Sequence, residues 1–169
     1  GETEVYKFRP ANEADIPFLS ELYISGCQRS MVACLRDFEI WKDELTGKSE
    51  KSVMRQEIRI IETNSAERVG FITHPPFTWG DFMVVMGFEV SSGYSWREVT
   101  LSVIRYIETE YNHLDADRGE KKPFGAFGFW LGEEHPVYHV IPDSLPRVRK
   151  PYAWYLRLVD IPGFIRHIG

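Results

Sequence analysis

The chain has 169 residues, 43% of them hydrophobic and 14% aromatic, with a net charge of -5 at pH 7. This composition supplies the core of one ordinary domain and excludes disorder, while the acidic balance excludes nucleic acid as the main partner, because a phosphate backbone requires a basic face. No run approaches the roughly 18 apolar residues of a membrane helix and no charged-then-apolar signal opens the chain, so the expectation is a soluble, cytoplasmic protein with no membrane partner.

YKFRPA, Tyr6 to Ala11, alternates as a short strand, and Asn12 or Asp15 then caps a helix in which Ile16, Leu19, Leu22 and Tyr23 recur at helical spacing. Residues 35–47, LRDFEIWKDELTG, place Phe38, Trp41 and Leu45 on one helical face and stop at Gly47. EIRIIET (Glu57–Thr63) and RVGFITH (Arg68–His74) pair as a hairpin about the turn NSAE, after which HPPFTWGD breaks the pattern. FMVVMGFEV (Phe82–Val90) is almost continuously apolar, as befits a strand buried on both faces in mid-sheet.

Val99, Val103, Ile104, Ile107 and Tyr111 predict a helix of about three to four turns, with NHLDADRGEKK as a charged loop behind it. PFGAFGFWLG (Pro123–Gly132) reads as a glycine-interrupted strand, EEHPVYHVIPDSLP as a short helix ended by Pro142, and YAWYLRLVD (Tyr152–Asp160) as a last strand. The order strand, helix, helix, three strands, helix, strand, helix, strand predicts an α/β fold: a mixed sheet with helices on both faces, as a single domain over residues 2–169. DIPGFIRHIG starts a further helix with Asp160 as cap and Pro162 in its first turn. It is too short to stand without packing, and reads as a docking end or as the N-terminal portion of a longer protein continuing past it. Cys27 and Cys34 read as buried free thiols.

The stretch that carries most chemistry is SSGYSWREVT, residues 91–100. Ser95-x-x-Glu98 has the form of a capping box, in which the helix fills its own free N–H groups. The same N–H groups, with the positive end of the helix dipole, also suit a bound anion. His135 and His139 stand four apart but lack both the glutamate of a metalloprotease helix and a third ligand, so they read as capping and surface histidines and no metal is expected. Neither a G-x-S-x-G elbow nor a P-loop nor a dinucleotide fingerprint is present. The aromatic stretches FTWGDF and YAWYL fit either an acceptor pocket or sheet packing.

The element order, together with FRPANEADIPFLSELY at residues 8–23, resembles the GNAT superfamily of acyl-CoA-dependent N-acyltransferases over nearly the whole chain. In that family a central strand runs into a turn of the form Q/R-x-x-G-x-G/A and then a helix, and FEVSSGYSWREVTLSVIRYI (Phe88–Ile107) is similar in place. The resemblance implies a mixed, mostly antiparallel sheet, acetyl-CoA as co-substrate and a small-molecule or peptide amine as acceptor. Aligned on Ser95, the motif puts Glu98 on its first glycine and Thr100 on its small residue. A carboxylate there faces two phosphates, a repulsion that Arg97 would offset by pairing with phosphate or with Glu98.

By the same resemblance, Val90 and Ser92 offer backbone groups to the pantetheine arm, and Ser95, Trp96, Arg97, Glu98, Val99 and Thr100 form the pyrophosphate end. Tyr138 takes the place of the acid that protonates the departing thiolate, and Glu89 that of the base that frees the amine. A packing tyrosine and a solitary outward carboxylate are the structural alternatives for these two. The alternative for the whole is a degenerate member that keeps the fold without catalysis, as a binding or structural module, which Glu98 and the lack of a motif glycine after Gly93 favour. Exposed aromatic strands leave a homodimer open.

Overall fold

A computed structural model of the chain describes residues 4–30, 32–116, 123–145, 147 and 158–168. In chain order its elements are β1 (Tyr6–Pro10), α1 (Ile16–Cys27), α2 (Phe38–Lys42), β2 (Glu57–Thr63), β3 (Arg68–His74), β4 (Phe82–Val85), β5 (Gly87–Val90), α3 (Trp96–Ala116), β6 (Ala126–Phe129), α4 (Val137–Val140) and α5 (Ile161–Ile168). β1, β2, β3 and β5 form an antiparallel sheet in that order, and β4 pairs in parallel with β6.

Strand alternation sorts the core into two layers. Ile61, Ile72, Phe88 and Val90 face α3, whose Val99, Val103, Ile107 and Tyr111 are fully buried against them. Ile58, Ile60 and Phe71 face the other way, onto Ile16 and Leu19 of α1 and Trp41 of α2. Val69 and Phe71 lie in opposite layers although two apart, because the hairpin register passes from Ile61 opposite Gly70 to Glu62 opposite Arg68, leaving Val69 as the extra residue of a bulge.

The first helix is entered through a fixed corner. Asn12 accepts from the Ala14 N–H at 2.9 Å, and the Asp15 carboxylate accepts from the Asn12 N–H at 3.0 Å, so the two candidate caps act together in one capping box. Arg9 on β1 then donates to both oxygens of the buried Asp15, at 2.7 and 2.8 Å, and holds that carboxyl below its usual range.

Several expectations change. The apolar run Phe82–Val90 is not one strand: Met86 and Gly87 both sit opposite Thr73, with the Met86 N–H donating to the Thr73 carbonyl at 2.8 Å, and this bulge divides β4 from β5. α3 runs on through 112–116 of the expected charged loop, since those residues contain no helix breaker. α4 is a single turn ended by Pro142, and Asp160 caps α5 through the Gly163 N–H at 2.9 Å. Most of the expected last strand lies outside the described residues; its final three, 158–160, are not in a strand. Both cysteines are free, but Cys34 is exposed and Cys27 half-buried, because they lie at the end of α1 and in the extended loop behind it. Among the described residues no helix is long and apolar enough to cross a membrane.

Candidate functional site

The bulge at Met86 makes the central segment change partners. Before it, β4 runs parallel to β6 from Phe82 opposite Ala126 to Val85 opposite Phe129, and the Trp130 N–H adds a last bond to the Val85 carbonyl at 2.9 Å. After it, β5 pairs with β3 on one edge while the chain beyond Trp130 turns away towards α4. A wedge therefore opens between β5 and the departing chain.

The antiparallel pattern decides which groups face the wedge. The Ser91 N–H donates to the Val69 carbonyl at 2.7 Å, so Ser91 and Glu89 turn their backbone groups towards β3, and Phe88 and Val90 turn theirs outward. The Phe88 carbonyl is bonded to His135 Nε2 at 2.7 Å; the Val90 N–H and carbonyl have no partner among the described residues.

Next to the wedge, Gly93 adopts φ 92°, a left-handed turn that glycine makes without strain, and leads into α3. Ser95 is the cap, its Oγ accepting from the Glu98 N–H at 3.3 Å and its carbonyl from the Val99 N–H at 3.1 Å. Arg97 and Glu98 are exposed, and the offsetting ion pair between them is not formed. Burial raises the pKa of Tyr6 on β1, and the charge of Glu98 adds to that shift. Ser92 is exposed, whereas the side chains of Val99 and Thr100 are fully buried in the core, leaving only their backbone to a ligand. The buried Thr100 Oγ1 has no partner among the described residues.

The two candidate chemical groups come from either side of the sheet. Glu89 points away from α3 and rests against α1, where a Cβ on Gly26 would overlap its carboxylate, and Arg29 just past α1 forms an ion pair with it. Burial pushes the Glu89 carboxyl above its usual range, with the Arg29 guanidinium opposing. Sequence reasoning missed both partners: nothing near Gly26 or Arg29 signals a contact 60 residues away.

Tyr138 lies on α4 with its hydroxyl donating to the Phe129 carbonyl at 2.9 Å and accepting from the Leu131 N–H at 3.3 Å, at the point where the chain leaves the sheet. Burial raises its phenol pKa, and the Leu131 bond opposes the shift.

Of the two roles expected for the histidine pair, capping and surface, His135 takes the first, and it is 5% exposed. Its Nδ1 accepts from the Val137 N–H at 3.2 Å, which assigns the proton to Nε2 and makes the histidine cap α4. Burial lowers its pKa to about 4. His139 is exposed, and the described residues contain no metal-ligating cluster. Trp79, from the expected aromatic loop, packs on Trp130 with ring centroids 4.8 Å apart, and both residues are exposed.

The sequence matches no protein-family model and no curated protein. Solved structures resemble the fold over nearly its whole length. A structure described as a possible acetyltransferase from Clostridium difficile 630 is 13% identical with a TM-score of 0.56, over 93% of this chain and 99% of that one. The ribosomal-protein-alanine N-acetyltransferase of Brucella melitensis biovar Abortus 2308 is 9% identical with a TM-score of 0.60, over 90% and 99%. The aminoglycoside antibiotic 6'-N-acetyltransferase of Acinetobacter baumannii is 10% identical with a TM-score of 0.53, over 90% and 97%. At these identities the likeness establishes the fold.

Proposed function

On the GNAT fold that this chain adopts, we propose that the protein is an N-acetyltransferase that moves the acyl group of acetyl-CoA to the amine of a small molecule or peptide. The observation that supports this most is the change of partner at Met86, which leaves the outward backbone groups of Val90 on a wedge that leads to the start of α3. A pantetheine arm carries two amides and lies along such an edge as an added strand does. A pyrophosphate suits the N–H groups and dipole of a helix start. The site requires no membrane or nucleic acid, and a cytoplasmic location accompanies the reading.

In this reading Glu89 removes a proton from the acceptor's ammonium, and the freed nitrogen attacks the thioester carbonyl carbon. As the C–S bond breaks, the Tyr138 hydroxyl gives its proton to the leaving sulfur, and the second proton shed by the attacking nitrogen returns to the phenolate, which leaves a neutral amide and a free thiol. Burial favours both roles, since it makes Glu89 a stronger base and keeps Tyr138 protonated. Tyr138→Phe is expected to lower kcat about a hundredfold while changing stability by only about 1 kcal/mol, the net worth of its bonds to the Phe129 and Leu131 backbone. Thiol release with an accepting amine measures the first and urea unfolding the second; an unchanged kcat would assign the hydroxyl to holding the chain exit alone.

A second reading, the same fold kept as a binding or structural module without the cofactor, is favoured by the helix start itself. Ser95 already occupies the Glu98 N–H, and an exposed carboxylate in the first turn of the helix repels an approaching phosphate. Whether the unaltered chain binds CoA separates the two readings.

A further inference from the structure

Trp96 is the first residue of α3, and its ring packs on one ring from β5 and one from the segment before α4. Its centroid lies 5.2 Å from Phe88 of β5 and 5.2 Å from His135, both edge to face. His135 in turn lies 5.9 Å from Phe88 and 6.3 Å from Tyr138, with its Nε2–H on the Phe88 carbonyl. Groups from β5, α3 and the segment before α4 thus meet over the backbone edge that faces the wedge, and one of that edge's acceptors is already taken.

We infer that Trp96 and His135 form a closing pair over the wedge, so that an acyl-CoA arm reaches Phe88 and Val90 only after the two rings part. This rests on the acyl-CoA reading and adds to it the step that limits admission of the co-substrate. An amide N–H of the arm can replace the imidazole N–H on the Phe88 carbonyl, so that this acceptor stays paired when the ring leaves. It also reaches Tyr138: moving His135 frees its Nδ1 from the Val137 N–H and removes the cap of the turn that carries the tyrosine. Opening for the arm and loosening of Tyr138 from the chain exit are then one event.

The test is stopped-flow binding of CoA bearing an N-methylanthraniloyl group on its ribose, with the unaltered chain, Trp96→Ala and His135→Gln, each first shown to be folded by circular dichroism. With the unaltered chain the observed rate should level off at high probe concentration, because opening precedes binding. With Trp96→Ala it should rise linearly, with affinity about tenfold tighter, because the fraction of open chain no longer taxes binding. Should Trp96→Ala fail to fold, His135→Gln, which removes the ring and keeps a donor, is expected to raise the plateau. A linear rise in the unaltered chain, with the same slope in the variants, would overturn the closing pair while leaving the acyl-CoA reading standing. No binding by any folded variant would overturn both.

Discussion

Gly70→Ala is expected to cost about 3 kcal/mol and to release β5 from the sheet. A Cβ at Gly70 would overlap the Glu89 carbonyl oxygen and lie 3.3 Å from both the Glu89 carbonyl carbon and the Val90 Cα. These are backbone atoms, so no rotamer change relieves the contact, and the strand as a whole has to withdraw. β5 has little else to hold it in the ladder, since its other edge faces the wedge and its four register pairs are all with β3. Withdrawal also pulls Phe88 and Val90 out of the layer under α3. Urea unfolding of Gly70→Ala and Gly93→Ala together makes the comparison: Gly93 has φ 92° with open space around it, so alanine there costs only about 1 kcal/mol of backbone strain. Equal losses in the two variants would show that β5 gives way freely at Gly70.

Stability is expected to fall by about 3 kcal/mol from His135 alone as pH drops from about 6.5 to about 4. Burial holds the native imidazole to about 4, whereas an unfolded histidine titrates near 6.5. Between those values the unfolded chain binds a proton that the native one does not, so acid favours unfolding. His74, buried and likewise lowered chiefly by burial, acts in the same direction; Glu89, raised by burial, acts in the opposite one. Comparison with His135→Gln therefore isolates the share that belongs to His135. Glutamine can still donate to the Phe88 carbonyl but does not titrate, so its unfolding free energy should change less between pH 7 and 4.5. Parallel pH dependences in the two proteins would contradict the assignment.

Much of the framework was legible because it is written in local periodicity. The caps at Asn12 and Asp15, the hairpin of β2 and β3, and the inward row Val99, Val103, Ile107 and Tyr111 each lie within one element, and the structure places them as their spacing implies. The break at Met86 was not legible from hydrophobicity, since both halves of the run are apolar and the choice between β6 and β3 as partner is made by residues far along the chain. Gly87 was the one local sign, as an interior glycine marks bulges.

The site was legible in position more than in arrangement. Glu98 and Thr100 could be placed on the helix start, but that one is exposed and the other buried follows only from the turn of α3 against the sheet. Arg29 and Gly26 at Glu89, and His135 at Phe88, are contacts between distant segments with no periodic signal. Which of the two histidines caps and is buried was not legible, because the one-turn helix that His135 caps offers too few residues to show which face is inward.

Whether the wedge and the start of α3 together hold an acyl-CoA is decided by calorimetric titration of acetyl-CoA and CoA into the unaltered chain and into Glu98→Gly. The unaltered chain should bind in the micromolar range, about 10 µM, and about tenfold more tightly once the carboxylate at the helix mouth is removed. Absence of binding by the folded, unaltered chain would contradict an acyl-CoA site there, and binding regained only in Glu98→Gly would mean that one carboxylate has closed the site and that the fold serves here without the cofactor.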